Sequence, residues 1–434
     1  MEQNHTQSQP IRIFAAFGPG DHVRAHGEAM SRRMVSTTSL TTSLTFSELL
    51  FNYCKVTANP ILAISSYPRV DTIEDGIIVA ENRRKSPLGA EVSGLAFHFL
   101  QFRWALYLAY RARRFRANVA FIDSGTTHYF ALAIFRLIGV PVVVNLHNVL
   151  WPSGFPPTSL SGRIVRKLNA LFFRRIASGG IGVSPECERQ VLSEAQGTIP
   201  FFQYRCQYNR DGFRKAVGYC GGPFHVMFAG RVEANKGALD LVEISSLLTN
   251  NCPTPVVFHV CGDGSALAPL RDLIRQRRLE EIVLLHGHVG REDLLEIYSS
   301  CHAAIVPTRS TFPEGMPQVC AEAIIAGLPI VASKVTNALD LLGPAIAEAE
   351  TDNAASYAER ICQLVTEPAY YQSLRSATED LSEQFFDRKF GYPTAVDRML
   401  STLFPNCRPL DDWSYVYGDQ IVPINRTIQQ IDVA

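Results

Sequence analysis

Short apolar runs separated by stretches of helical period recur along this chain, and they fall into two sets. The first set is Ile11–Ala16, Ile61–Ile64, Ile77–Val79, Val119–Ile122, Val142–Val144 and Ile181–Val183; the second is Phe224–Ala229, Val256–Val260, Ile282–Leu285, Ala303–Val306 and Ile330–Ala332. Runs without polar alternation predict strands buried on both faces. With helices between them, they predict doubly wound parallel sheets. Glycine and proline punctuation between Asn209 and Pro223 separates the sets and predicts a domain boundary there. In such sheets ligands bind beyond the C-terminal strand ends, so the residues that follow each run are the ones to read.

The last two runs frame the most informative stretch, Pro307 to Ser333. Its pattern predicts a loop over Thr308–Glu314, a helix opening near Pro317 and stopping at Gly327, and Pro329 ahead of the next strand. Glu314 then precedes a helix N-terminus and Glu322 lies about one and a half turns inside it. The electropositive helix start suits phosphate, and two flanking carboxylates suit sugar hydroxyls. The same two residues also fit a dipole-favouring charge and a solvated surface charge.

Other strand ends carry further candidates. Gly18-Pro19-Gly20 follows the first run, but Val23 stands where a dinucleotide-binding turn needs a small residue. Asp123 and His128 follow the Val119 run, and His147 follows the Val142 run. Arg231 and Lys236 follow the Phe224 run, where a forked guanidinium and a point charge suit a diphosphate. Gly262 and Gly287-His288-Val289 close the next two runs.

The segments Glu314-Gly315-Met316-Pro317-Gln318-Val319-Cys320-Ala321-Glu322-Ala323 and Ala326-Gly327-Leu328-Pro329-Ile330-Val331-Ala332-Ser333 resemble the acidic-pair signature of retaining family 4 glycosyltransferases with the GT-B fold. The resemblance implies an α/β protein of two Rossmann-like domains facing a central cleft: an acceptor-side domain over 1–215, a nucleotide-sugar domain over 216–386, a helix over 387–404 crossing back, and a tail over 405–434 that matches nothing in the family. It implies that Arg231 and Lys236 stabilise the leaving diphosphate, that Glu322 holds the ribose, and that Glu314 and His147 grip the donor sugar. The turns carrying Gly18, Gly20, Gly262, His288 and Val289, with Gly315 and Met316 at the helix start, would border the donor. Pro317 stands where many relatives have glycine and removes an N–H from that start.

The implied reaction moves a sugar from a nucleotide sugar to a saccharide or lipid-linked saccharide with retention, without a metal or other cofactor. Its setting would be cell-surface polysaccharide or glycolipid synthesis. A sugar-nucleotide epimerase or a silent nucleotide-binding scaffold would share the nucleotide site.

Composition narrows the picture less. The chain has 434 residues, 47% hydrophobic, and no formal net charge, which gives no global pull toward nucleic acid. Ten cysteines lie scattered without a C-x-x-C pair, which suits a reducing compartment, and the polar start lacks a secretory pattern, so a cytoplasmic protein is expected. Phe97–Arg116 and Arg163–Arg175 are basic and aromatic. Phe102, Trp104, Tyr107 and the Arg111–Arg116 cluster fit a helix lying on an anionic membrane, at the inner face, and equally a core helix with cations at its C-terminus.

Overall fold

The computed structural model describes residues 9–35, 45–85 and 94–407, together with 409–411, 413 and 416. The polar start and most of the 405–434 tail lie outside the described residues.

Two sheets organise the chain. The first contains β1 (Ile13–Phe17), β2 (Ile61–Ser65), β3 (Asp71–Asp75), β4 (Ile78–Asn82), β5 (Val119–Asp123), β6 (Val142–Leu146), β7 (Gly179–Gly182) and β8 (Phe201–Gln203), in the order β3-β4-β2-β1-β5-β6-β7-β8. The second contains β9 (Phe224–Ala229), β10 (Val256–Cys261), β11 (Val283–Gly287), β12 (Ala303–Val306), β13 (Ile330–Ala332) and β14 (Ile346–Glu348), in the order β11-β10-β9-β12-β13-β14. All pairings are parallel except β3 with β4. The antiparallel β3 is an addition to the sequence reading, which had no strand there.

Helices cover both sheets. Around the first are α1 (His22–Val35), α2 (Phe46–Val56), α3 (Gly94–Arg114), α4 (Ile134–Leu137), α5 (Leu160–Arg175) and α6 (Pro185–Ala195). Around the second are α7 (Asp240–Asn251), α8 (Leu267–Arg277), α9 (Arg291–Ser300), α10 (Gln318–Ala326), α11 (Leu339–Leu342), α12 (Ala354–Thr366) and α13 (Pro368–Ser382). The last helix, α14 (Tyr392–Leu403), returns to the first sheet and places Tyr392, Val396, Met399 and Leu400 in its apolar core. It opens at Tyr392-Pro393, and the Asp387–Gly391 stretch ahead of it holds a separate one-turn 3₁₀ helix over Arg388–Phe390.

The chain therefore crosses between the sheets twice, and the crossings are bonded to each other. Arg205 N donates to Phe390 O at 2.6 Å, Tyr208 N to Phe385 O at 2.9 Å, and Gln207 Nε2 to Gln384 O at 3.1 Å.

Burial divides the expected interfacial set of the aromatic helix between the core and the surface. On α3, Trp104 is buried, Tyr107 is half-buried, and Arg111 forks onto Glu81 at 2.6 and 2.7 Å. Phe102 alone of the three aromatics faces outward. No helix among the described residues is long and apolar enough to cross a membrane.

One buried network ties three elements of the first domain. His26 of α1 is fully buried, with Nδ1 2.9 Å from Glu48 of α2 and Nε2 3.1 Å from Asp75 of β3. Burial disfavours its charge, but the hydrogen bonds to Asp75 and Glu48 outweigh that and raise its pKa. A raised imidazole contributes stability that is complete below its unfolded value near 6.5 and is lost as pH climbs through the folded value. His26→Gln is expected to remove the decline of melting temperature with rising pH in that window. An unchanged slope in the variant would show that the decline has another source.

Candidate active site

The turns after β9, β10 and β11 are stacked by backbone bonds at one edge of the second sheet. Gly262 N donates to Gly287 O at 2.7 Å, Gly230 N to Cys261 O at 3.0 Å, and Val232 N to Asp263 O at 2.9 Å. Gly262 has φ of 147°, and a Cβ there would lie 1.8 Å from the Gly230 carbonyl oxygen, so only glycine fits. Beyond it His288 is exposed, while Val289 packs on the apolar cluster shared by β12 and α10.

Arg231 and Lys236 leave the first of these turns and share one aromatic floor. Lys236 ends the 3₁₀ turn Ala234–Lys236, with its ammonium 4.2 Å from the centre of the Phe312 ring; the Arg231 guanidinium is 6.0 Å from the same centre. Arg231 is exposed and forms no ion pair among the described residues. Lys236 instead donates to the Glu314 carboxylate, and both side chains are mostly buried, at 18% and 8% exposure.

Glu314 sits in the loop ahead of α10, held by more than its cation. Thr308 Oγ1 lies 3.4 Å from its carboxylate, and Asn337 Nδ2 donates to its backbone carbonyl. Glu322, inside α10, has separate partners: Arg291 Nη1 at 2.7 Å and Tyr298 OH at 3.0 Å, both from α9. Each of the two carboxylates at this helix is thus engaged by its own protein donors. Arg291 and Tyr298 were missed in the sequence. The available signal was a cation at the first position of a helix, where the dipole disfavours it unless it has a partner elsewhere. Arg291 Nε and Nη2 are buried without a partner among the described residues, so this guanidinium has donors to spare.

Across the cleft, β6 positions His147. Its Nε2 is 3.0 Å from Asp123 Oδ2, its Nδ1 is 3.0 Å from the Tyr204 hydroxyl, and its ring stacks on Phe46 at 4.8 Å. Asn145 completes the set, donating to Asp123 at 2.7 Å and accepting from Tyr204 at 2.8 Å. Burial holds the Tyr204 pKa well above 10, so it remains a neutral hydroxyl. His147 thus engages both ring nitrogens within its own domain. Of its two sequence neighbours, Asp123 joins it, whereas His128 pairs with His98 at 2.9 Å and stacks on Phe130. Burial pushes His128 down to about 4.

Gly18 and Gly20 form the turn after β1, and Gly20 lies against the ring of His22, the first residue of α1. His22 bonds Ser47 at 2.9 Å; burial lowers its pKa, against the opposing fields of Asp123 and Glu48. A histidine opening the helix after a glycine turn was the overlooked cue.

The two domains touch at this point. A Cβ on Gly315 would fall 2.0 Å from the His147 carbonyl oxygen and 2.7 Å from Val183 Cγ2, so the backbone passes where any side chain would collide. Met316, expected beside the donor, packs its side chain against the apolar clusters of both domains. Arg189 on α6 pairs with Asp340 on α11. A cavity of about 600 Å³ is lined by Phe155 from one domain and Lys334, Glu350 and Arg360 from the other.

Residues 209–381 match the family model described as glycosyl transferases group 1. The chain is 24% identical over 257 residues to the alpha-D-kanosaminyltransferase of Streptomyces kanamyceticus, a match covering 55% of this chain and 65% of that protein. It is 28% identical over 229 residues to the D-inositol 3-phosphate glycosyltransferase of Arthrobacter sp. (strain FB24), covering 48% and 53%. The chain therefore spans between half and two thirds of these relatives' lengths. Among solved structures, sucrose-phosphate synthase from Thermosynechococcus elongatus superposes with a TM-score of 0.67 at 14% identity, covering 92% of this chain and all of that one. HepE from Anabaena in complex with UDP gives 0.60 at 16%, covering 91% and 99%. At these identities the likeness is one of fold. Residues 209–381 thus resemble the glycosyl transferases group 1 family, and the paired sheets have the GT-B arrangement.

Proposed function

We propose that this chain is a retaining, metal-independent glycosyltransferase that moves a sugar from a nucleotide sugar to a saccharide or lipid-linked saccharide, at the cytoplasmic face of a membrane. Residues 1–215 would serve the acceptor and 216–386 the donor. The observation that carries the reading is the pair Arg231 and Lys236 over Phe312, beside Glu314 and ahead of the α10 N-terminus, in the stretch matching the family. Two fixed cations and unpaired helix N–H groups meet the main electrostatic demand of the reaction, the charge that grows on a departing diphosphate.

In this reading the Glu322, Arg291 and Tyr298 cluster takes the ribose, using the unspent Arg291 donors. Glu314 and the His147 edge contact the sugar, and the turns bearing Gly262, His288 and Val289 border the base. The acceptor hydroxyl attacks on the face of the leaving phosphate, which retains the anomeric configuration. HepE was solved with UDP, which makes uridine donors the first to test.

A thermal-shift screen of nucleotides and nucleotide sugars is expected to single out one base, and turnover of the matching donor is expected to survive EDTA. Loss of activity with EDTA and recovery with magnesium or manganese would overturn the assignment of the diphosphate to Arg231 and Lys236. Isomerisation of the donor with no acceptor present would identify an epimerase instead.

A further inference from the structure

We propose that the outer faces of α3 and α5 form one surface that docks on an anionic lipid bilayer. The proposal deepens the membrane setting suggested above and rests on that reading for its purpose.

All but Phe97 (38% exposed) of the large apolar residues that α3 exposes form a single stripe. Leu95 (87% exposed), Phe99 (69%), Phe102 (47%), Leu106 (40%) and Tyr110 (58%) follow one another at intervals of four, three, four and four residues. At 3.6 residues per turn they fall within about a quarter of the helix circumference. The opposite face, with Trp104, Leu108 and Ala112, fills the core, so the outer stripe plays no part in holding the domain together. The α5 helix repeats the arrangement with Leu160 (70%), Ile164 (51%), Leu168 (40%) and Leu171 (55%). Nine large apolar side chains open to water in these two stripes are more than a soluble monomer leaves exposed without a use.

The helices that carry these stripes share a neighbour. Both helices flank the segment 127–130: Thr127 Oγ1 donates to Gln101 O of α3 at 2.8 Å, and Phe130 N donates to Asn169 Oδ1 of α5 at 3.1 Å. Each helix runs back against the strands it links and so begins at the sheet edge that carries His147. The most exposed positions, Leu95, Phe99 and Leu160, are at those beginnings.

Charge selects the occupant. The chain is neutral overall, yet residues 94–185 hold eleven Arg and Lys against one acidic residue, Asp123, which is turned inward on His147. Arg113 and Arg114 at the end of α3, and Arg163 and Lys167 on α5, are exposed. Nucleic acid would meet these cations but not the apolar stripes, and an ordinary protein face would meet the stripes but not the excess of charge. A bilayer with anionic headgroups meets both: the Phe and Leu residues enter the acyl boundary while the Arg and Lys heads stay at headgroup level. Bound this way, the cleft edge lies next to the bilayer, where a lipid-linked acceptor presents its saccharide.

Vesicle co-sedimentation of the full chain tests this. Wild-type protein is expected to sediment with vesicles containing phosphatidylglycerol, to ignore pure phosphatidylcholine, and to be released in about 1 M salt, where the Debye length falls to about 3 Å. Arg113→Glu with Arg114→Glu is expected to weaken binding by about thirtyfold or more, the worth of two headgroup contacts. Phe99→Ser with Phe102→Ser, and Ile164→Ser with Leu168→Ser, should each weaken it by about tenfold or more at unchanged melting temperature, since these side chains are outside the core. Failure of the wild type to bind anionic vesicles at low salt, equal binding to neutral ones, or wild-type binding by all three variants would overturn the proposal. So would sedimentation velocity showing a wild-type dimer that the serine pairs dissolve, because the surface would then belong to a second copy. A UDP thermal shift without lipid keeps the two readings apart: a protein that shifts with UDP but ignores vesicles loses only the docking surface. One that binds vesicles without responding to any nucleotide keeps the surface and loses the transferase reading.

Discussion

Lys236→Ala is expected to lower turnover by about a hundredfold or more, the loss that follows when a fixed charge aimed at a developing anion is removed. The structure adds a second effect. Lys236 is the cation that pairs Glu314, and both side chains are largely buried, so its removal leaves a carboxylate in a poorly solvated place. A stability loss on the order of 3 kcal/mol is expected. Arg231→Ala should separate the two effects: it is exposed and unpaired among the described residues, so turnover should fall by a similar factor while melting is unchanged. Combining Lys236→Ala with Glu314→Gln should recover most of the melting temperature and none of the activity. Calorimetry together with kcat at saturating donor reads both quantities, and near-normal turnover in Lys236→Ala would end the diphosphate assignment.

Gly315→Ala is the second large effect. The added methyl would fall 2.0 Å from the His147 carbonyl oxygen, well inside van der Waals contact, and neither backbone is able to yield without moving its loop. The domains would be held apart by more than an ångström at the point where the two halves of the site meet. Misplacement on that scale costs about a hundredfold in rate. The expected result is a fall in kcat/KM of about that size, with a smaller loss of melting temperature, because the clash lies between domains and reaches Val183 at the margin of the first core. Full activity in Gly315→Ala would show that this contact opens before the chemical step.

The parts of the fold that were legible are those whose burial is uniform. The β6 strand, Val142 to Leu146, is buried throughout, and such a run has few readings other than an interior strand. The β3 strand was invisible for the opposite reason. Asp71-Thr72-Ile73-Glu74-Asp75 is an edge strand with one apolar residue in five, half-exposed along its length, and its pairing with β4 supplies a stability that no sequence window displays. On α3 the sequence is apolar nearly all round, so hydrophobicity alone leaves open which residues turn inward; packing against the sheet chose Trp104 and released Phe99. The candidate site divides along the same line. Positions at strand ends, such as Arg231 and His147, follow from topology and were legible. Side chains that meet only through helix packing, as Arg291 and Tyr298 meet Glu322, carry almost no local mark.

The two bonded crossings between the sheets define what kind of motion the molecule has available. A single connecting chain would let one domain swivel on the other. Two connections held side by side by the Arg205–Phe390 and Tyr208–Phe385 bonds resist torsion and leave bending about the line that joins them, as in a door with two knuckles. Opening would then part Arg189 from Asp340, a latch between α6 and α11, while the Gly315–His147 approach stays near the bending line, beside Val183, whose carbonyl accepts from Arg205 at 3.4 Å. Donor entry and nucleotide release would share that single coordinate, and a rate limited by release would respond to substitutions at the latch and at the knuckles in the same way.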